Sequence, residues 1–333
     1  MTADMQSDFG PDFFIVGAPK CGTTWLDTRL SEHPSIFMAK KEQHYFGSDL
    51  ATNWVQPTAE QYFASFAGGE QAARRGEASG WYLWSKAAAE EIKRYKPNAQ
   101  IIAMLRNPVE MLPSLHSQYL YDDIEDTDDF EAALAAEEAR RAGLKVPPNN
   151  GSPPWRLFYR DVVRFHAQVR RYFAAFGRQR VHVVLFDDLV ANASDVFRGV
   201  LDFLGVDTNV SPCLQTLNAN KQIRSRHVQH AVMEILNPSS RIRRCGARLI
   251  PGQATRSALL RHVVPAMVRM NTSHAVRTPL PDELRARLTI EFAPESEALG
   301  ELIERDLSSW YSDARLRSEF HRVLPVSQPQ MTI

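Results

Sequence analysis

The segment Phe13-Phe14-Ile15-Val16-Gly17, followed by Ala18-Pro19-Lys20-Cys21-Gly22 and then Thr23 to Ser31, sets the frame for everything else. It reads as a short apolar strand, a tight glycine-bearing loop and a helix. That succession opens an α/β fold in which strands feed helices across a parallel sheet. The end of such a loop collects backbone amides at a helix N-terminus, where the helix dipole adds partial positive charge, so a phosphate is the natural occupant. Thr23 and Thr24 add hydroxyl donors, and Lys20 adds a full positive charge.

Gly17 and Gly22 have the separation of a GxxxxGK[ST] loop, but Thr23 stands where the lysine of that loop belongs. The lysine has moved inside the loop, to Lys20. The arrangement fits a single 5′-phosphate whose bridging oxygen is a leaving group better than a magnesium-bound triphosphate.

Further strands are expected at Ser35 to Met38, Gln100 to Leu105 and Arg180 to Phe186, the last two flanked by helical patterns that suit a parallel sheet. Arg106-Asn107-Pro108 follows the middle one, and proline there starts a helix running through Tyr121, with Pro113 marking a kink or a later start. Trp155 to Phe176 has helical spacing. Pro281 to Trp310 reads as two amphipathic helices broken near Pro294. Val146 to Pro154 is a loop rich in turn formers. The fold class expected is α/β: a single P-loop-like domain over 10–312 with a central parallel sheet flanked by helices, and terminal extensions at 1–9 and 313–333.

Composition excludes more than it selects. With 39 basic and 39 acidic side chains in 333 residues, the net charge is zero, which gives no support to a nucleic-acid partner. The charge is unevenly placed. Nine acids and no base lie between Asp122 and Glu138; eleven Lys or Arg and one acid, Glu234, lie between Lys221 and Arg277. These are either solvated surfaces or faces near an acceptor and an anionic cosubstrate. An acidic rim would favour a neutral or cationic acceptor over a sulfated polymer. Three widely spaced cysteines, Cys21, Cys213 and Cys245, make neither a disulfide framework nor a zinc site. A reducing, cytoplasmic location is expected, with no signal peptide and no membrane span.

Pro19-Lys20-Cys21-Gly22-Thr23-Thr24-Trp25-Leu26 resembles the 5′-phosphosulfate loop of sulfotransferases that use 3′-phosphoadenosine 5′-phosphosulfate (PAPS). Arg106-Asn107-Pro108 with Ser114 eight residues after the arginine resembles their 3′-phosphate element, where a charge-assisted arginine contact and a helix hydroxyl meet one phosphate. Lys221, Arg224 and Arg226, in Lys221-Gln-Ile-Arg224-Ser225-Arg226, resemble the basic loop that closes over the 3′-phosphate and adenine in bacterial members. Val181 to Asp188 and Leu201 to Val206 resemble fold signatures of the same family.

Lys40-Lys41-Glu42-Gln43-His44-Tyr45-Phe46 resembles the Lys-Glu-x-His-Phe-Phe stretch of heparan sulfate type members. The resemblance implies Glu42 as general base with His44 as its support, while Asp49 is displaced from the family's position. A partly buried Glu42 would have a raised pKa, suited to that role. His116 is the rival base. Arg75 to Tyr82 takes the place of a Gly-Glu-Lys-Thr-Pro-x-Tyr element, with Ala78 and Gly80 replacing its lysine and proline; Trp81 and Tyr82 there are stacking or core aromatics.

The resemblance implies sulfuryl transfer from PAPS to a hydroxyl, secondarily an amine, of a small-molecule or glycan acceptor, with adenosine 3′,5′-bisphosphate as product and no metal required. The alternatives are a nucleotide-dependent kinase and a non-catalytic nucleotide-binding module. The acceptor and the oligomeric state are not legible.

Overall fold

The computed structural model describes residues 10–50, 56–147, 152–210, 221–236, 263–274 and 279–312. The chain divides into two compact units, 1–278 and 279–333.

In the first unit the order is β1 (Phe13–Gly17), α1 (Thr23–Ser31), β2 (Ile36–Met38), α2 (Ala59–Ala64), β3 (Arg74–Ala78), α3 (Ala88–Tyr95), β4 (Gln100–Leu105) and α4 (Pro108–Tyr121). Next come α5 (Phe130–Ala135), α6 (Glu137–Arg141), α7 (Tyr159–Val162), α8 (Phe165–Phe176), β5 (Val181–Leu185), α9 (Phe186–Ala191) and α10 (Ala193–Leu204). A small antiparallel pair follows, β6 (Lys221–Ile223) with β7 (Thr272–His274), joined to α11 (Arg226–Leu236) and α12 (Val264–Asn271).

Strands β1 to β5 form one parallel sheet in the order β2-β3-β1-β4-β5. Every residue of β1 is buried, and β4 is buried from Ile101 to Leu105, as continuous apolar runs in a covered parallel sheet require. The chain passes from β1 to the β2 edge, returns through β3, then crosses to β4. The loop after β1 therefore opens where the strand order reverses, at the carboxyl ends of the strands, the place where open α/β sheets bind ligands.

The central parallel sheet flanked by helices is the architecture the sequence predicts. Within that sheet, β3 is the strand that the sequence did not announce. Arg74-Arg75-Gly76-Glu77-Ala78 carries three charges and a glycine, none of which favours a buried strand. Each has a local answer. Arg74 Nε bonds Asp12 Oδ1 at 2.6 Å, and its guanidinium also reaches the Leu204 carbonyl. Arg75 Nε bonds the Gly10 carbonyl at 3.1 Å. Gly76 lies against the Phe13 ring and the Met38 sulfur, where any Cβ would collide.

Helix α4 begins at Pro108 as expected, capped by Asn107 Oδ1 accepting from the Val109 amide at 2.9 Å, and it continues past Pro113. Trp155 to Phe176 is not one helix. It divides into a 3-10 turn at Pro154–Leu157, α7 and α8, because the chain leaves helical geometry at Arg164 (ψ 59°). Buried Leu157, Tyr159, Val162, Phe165, Val169 and Tyr172 keep their apolar spacing across the breaks, which is why the pattern read as continuous. In the second unit, α13 (Asp282–Ile303) runs 22 residues through Pro294, against the expected break. A proline there removes one N–H, and the carbonyl it orphans belongs to Ile290, a residue 45% exposed.

Candidate active site

The site is assembled from the carboxyl ends of the strands, each extended by a hydrogen bond beyond the ladder. After β1, the Ala18 amide donates to the Met104 carbonyl at 2.7 Å. After β2, the Ala39 and Glu42 amides donate to the Gly76 and Ala78 carbonyls at 3.0 and 2.8 Å. After β3, the Ser79 and Leu83 amides donate to Ile15 and Val16 at 3.1 and 2.7 Å. These bonds fix three loops side by side over β1.

The first loop ends at Gly22, whose φ of 94° makes it a left-handed N-cap to α1 with no side-chain cap. A Cβ at Gly22 would stand 2.9 Å from Leu189 Cδ2. The Trp25 and Leu26 amides turn back to the Gly22 carbonyl, while those of Gly22, Thr23 and Thr24 meet no acceptor among the described residues. An uncapped, glycine-started helix end with a lysine beside it is fitted to an anionic phosphate group.

Lys20 lies in this loop at φ 64°, and its Nζ donates to Gln118 Oε1 at 3.1 Å. Arg106, at the end of β4, approaches the Lys20 carbonyl with Nη1 at 3.5 Å and lies 4.5 Å from the Phe186 ring centroid, between β4 and α9. Ser114 is buried on α4. The Cys21 thiol is fully buried beneath the loop, and burial pushes its pKa up to about 12 against the opposing charges of Arg106 and Lys20, so it is no nucleophile. Trp25 places its ring in the core, edge-on to Phe197 at 6.2 Å.

Glu42 and His44 lie in the second loop, both at positive φ, 62° and 49°. Lys20, Glu42 and His44 therefore all hold the left-handed backbone that costs a non-glycine residue on the order of 1 kcal/mol, and all three line one cavity. His44 Nε2 lies 2.9 Å from Glu42 Oε2, Lys41 Nζ lies 2.6 Å from Oε1, and the Gly80 amide donates to Oε2 at 3.2 Å. Burial would raise the Glu42 pKa, but the His44 hydrogen bond and the Lys41 charge prevail and hold it at about 2. The expected upward shift is thus reversed: the carboxylate sits between two cationic or donor groups and keeps 40% of its side chain exposed.

The support beneath this loop is a buried carboxylate. Glu77 is fully buried on β3 and accepts from Ser79 Oγ, Tyr62 Oη and Tyr82 Oη at 2.6, 2.7 and 2.8 Å. Burial raises its pKa against those three hydrogen bonds. Ser79 Oγ in turn accepts the His44 amide at 3.1 Å, and Tyr82 Oη accepts the Phe46 amide at 3.2 Å. Asp49 bonds the Ser85 hydroxyl and the Lys86 amide, so its displacement serves the third loop rather than Glu42.

The cavity, about 370 Å³, is lined by Pro19, Lys20, Glu42, His44, Gly80 and Trp81 on one side and by Leu115, Gln118, Tyr119, Asp122 and Arg156 on the other. Gln118 and Arg156 are site residues that the sequence reading missed. Gln118 was within reach, since it follows Ser114 by one helical turn. Arg156 is buried with its guanidinium 5.2 Å from the Trp81 ring centroid and 5.1 Å from that of Tyr119, a placement that no local pattern encodes.

Other expected residues fall elsewhere. His116 is buried with Nε2 2.8 Å from the Thr127 carbonyl, against Phe130 and Tyr159, and burial lowers its pKa. It is a structural histidine. Arg226 Nη1 pairs with Asp128 at 3.2 Å and its Nη2 donates to the Glu125 carbonyl. Arg224 is exposed, its amide bonded to the Asn271 carbonyl. The Lys221 side chain lies outside the described residues. The acidic stretch is largely engaged with basic groups: Asp128 with Arg226, Asp123 with His230 at 2.7 Å, Glu137 with Arg160 and Glu125 with Arg140. Only Asp122 of that stretch reaches the cavity, where Arg156 also stands, so an acidic acceptor rim is not what the fold builds.

Asp27, one turn into α1, gives a stability test. Its Oδ1 is buried without a hydrogen-bond partner among the described residues. Burial pushes its pKa up to about 6, opposed by Lys41 and reinforced by Glu42. The folded state resists ionising it, so its contribution is most favourable below about pH 4 and is lost as pH rises through 6. Asp27→Asn is expected to stabilise the protein by about 1–2 kcal/mol at pH 7.5 and by little at pH 4. Thermal melts at the two pH values measure the difference, and an equal effect at both would contradict it.

Among the described residues no group of three His, Cys, Asp or Glu is placed to hold a metal ion, and no helix is long and apolar enough to cross a membrane.

A glycine-capped loop after β1 thus lies at the reversal point of a parallel sheet, and its lysine shares a cavity with a carboxylate. Residues 10–247 match the sulfotransferase domain model, and the chain belongs to that family. A solved sulfotransferase from Alicyclobacillus acidocaldarius is similar at 30% identity and a TM-score of 0.65, over 90% of this chain and 98% of that one. Carbohydrate sulfotransferase 15 of Homo sapiens is 26% identical over 251 residues, 59% of this chain and 44% of the human protein. Membrane-associated sulfotransferase kil1 of Dictyostelium discoideum is 37% identical over 103 residues, 30% of this chain and 21% of that protein. The match spans less than half the length of either relative.

Proposed function

We propose that this sulfotransferase moves a sulfuryl group from PAPS to a hydroxyl, secondarily an amine, of a carbohydrate, glycolipid or secondary-metabolite acceptor. The observation that carries this reading is that Lys20 of the donor loop and Glu42 line one cavity large enough for an acceptor group.

The loop amides at Gly22, Thr23 and Thr24 bind the 5′-phosphate, and Arg106 with Ser114 binds the 3′-phosphate. The acceptor hydroxyl enters from the side of Trp81, Tyr119 and Arg156. Glu42 takes its proton as the oxygen attacks sulfur in line. The bond from sulfur to the bridging oxygen breaks, and its electron pair leaves with adenosine 3′,5′-bisphosphate. Lys20 neutralises the charge that develops on that oxygen. His44 holds Glu42 in position. Thr23, where a kinase loop carries its lysine, argues against a nucleoside triphosphate donor.

The test is transfer of label from ³⁵S-PAPS across a panel of 4-nitrophenyl glycosides, glucosamine, glycolipids and 2-naphthol, with products read by mass. A labelled ester supports the reading. Failure of every acceptor, together with no thermal stabilisation by adenosine 3′,5′-bisphosphate, overturns it. Stabilisation without transfer would instead indicate a nucleotide-binding module without catalysis.

The Glu42 environment adds a pH prediction. A base at about pKa 2 is ionised throughout the neutral range, so Glu42 imposes no acid limb on kcat/KM above about pH 4. Lys41→Ala removes one of the groups holding it down, and the acid limb is expected to move to higher pH. Rates measured from pH 3 to 6 check this, and an acid limb that stays in place would show that Lys41 does not set it.

A further inference from the structure

Helix α4 carries Ser114, Gln118 and Asp122 at successive four-residue steps, a single stripe that runs from the 3′-phosphate element to the cavity. The middle residue makes two side-chain hydrogen bonds. Its Oε1 accepts from Lys20 Nζ at 3.1 Å, and its Nε2 donates to Asp122 Oδ1 at 2.9 Å. A lysine can only donate and an ionised aspartate can only accept, so a single orientation of the amide satisfies both neighbours. Asp122, the C-cap residue of the helix, thereby fixes which end of Gln118 faces Lys20.

We propose that Gln118, oriented by Asp122, is the positioning residue that sets where the Lys20 ammonium stands between the donor loop and the acceptor cavity. Lys20 projects from a left-handed backbone position on a side chain with four rotatable bonds, so the loop alone does not define its tip. An amide oxygen is suited to the task. It holds an ammonium by a hydrogen bond and adds no counter-charge of its own. A glutamate at 118 would form an ion pair with Lys20 and face Asp122 with a second carboxylate. The phosphates have their own ligands in the loop amides, Arg106 and Ser114, so Gln118 bears on rate and not on donor affinity.

This inference rests on the PAPS reading, and its test separates the two. Gln118→Ala is assayed with PAPS and the fastest acceptor of the panel above. It is expected to lower kcat by roughly tenfold or more, the scale of effect that a displaced catalytic group produces. KM for the acceptor and the Kd for adenosine 3′,5′-bisphosphate should stay within about threefold. Gln118→Glu is expected to lower kcat as well, because the tether survives while a carboxylate is set against the ammonium. In a Lys20→Ala background Gln118→Ala should cost nothing further. Full additivity in that cycle overturns the proposal, as does a rise in acceptor KM with kcat intact.

A readout that needs no turnover is the acetylation rate of Lys20 by acetic anhydride, followed by peptide mass. Gln118→Ala is expected to raise that rate by severalfold over the wild type, and Asp122→Asn to raise it partway. Equal rates in all three proteins overturn the positioning role even if PAPS proves not to be the donor. Protection of Lys20 in a protein that fails every transfer assay would leave the positioning role standing and remove the PAPS reading.

Discussion

Lys20→Ala is expected to lower kcat for sulfuryl transfer by about 10²–10³-fold, the loss found when one preorganised electrostatic group is removed from a developing oxyanion. Three structural facts make the expected loss large and specific. Lys20 lines the cavity that Glu42 lines, which in the proposed reaction sets its charge at the reacting centre. Its backbone lies at φ 64° in a loop tied to the sheet by the Ala18 amide and closed by the Cys21 amide on the Ala18 carbonyl, so the substitution removes the ammonium without breaking either bond. The remaining anion ligands, the amides at Gly22 to Thr24 and Arg106, are untouched. Binding of adenosine 3′,5′-bisphosphate should therefore weaken far less than kcat falls, and the melting temperature should hold. Glu42→Gln is expected to give a loss of about 10²–10⁴-fold by removing the proton acceptor. Titration calorimetry and initial rates on the same preparations decide the matter. Unchanged turnover in Lys20→Ala would remove the leaving-group role, and parallel collapse of rate and melting temperature would mean that the residue is structural.

The elements that the sequence announced are those whose residues carry their own local logic. β1, β4, β5 and the start of α4 follow from apolar runs and a proline after a strand, and the donor loop follows from the spacing of Gly17, Lys20 and Gly22. β3 was not legible because its two arginines and Gly76 make sense only against Asp12, Leu204, Phe13 and Met38, partners supplied by distant segments. Pro294 looked like a break because sequence cannot report that Ile290, whose carbonyl it orphans, is an exposed residue.

The site divides in the same way. Lys20 and Glu42 share a cavity, as their motifs implied, although the environment of Glu42 lowers its pKa where burial alone would raise it. The partners of the acidic stretch were not legible because charge in a sequence has no partner until it folds: Asp128 meets Arg226, while Glu125 and Glu137 meet Arg140 and Arg160. Gln118 and Arg156 belong to no motif. They reach the cavity through helix phase and through packing between rings.

The largest stability effect is expected at the same acidic stretch. Glu125 and Arg140 form a two-pronged ion pair at 2.6 and 2.8 Å, with side chains 0% and 1% exposed. Tyr159 Oη donates to the carboxylate at 2.9 Å, the amides of Asp126 and Thr127 donate at 2.9 and 3.0 Å, and Arg140 Nε reaches the Lys145 carbonyl. Burial alone would raise the Glu125 pKa, but Arg140 and these donors hold it below the usual carboxylate value. Glu125→Ala strands a buried guanidinium, and Arg140→Ala strands a buried carboxylate. Each is expected to cost about 3–5 kcal/mol.

The pair also anchors the turn whose Thr127 carbonyl fixes His116 and whose Glu125 carbonyl receives Arg226. Its loss should therefore loosen α4 and the cavity wall at Leu115 to Asp122. The double variant Glu125→Leu with Arg140→Met removes both charges together and is expected to recover most of the stability, since the penalty lies in the unpaired charge more than in the missing attraction. Denaturant melts of the two single variants and the double variant form the test. Single variants within 1 kcal/mol of wild type would show that water reaches the pair, and a double variant no more stable than either single would show that its worth lies in the attraction itself.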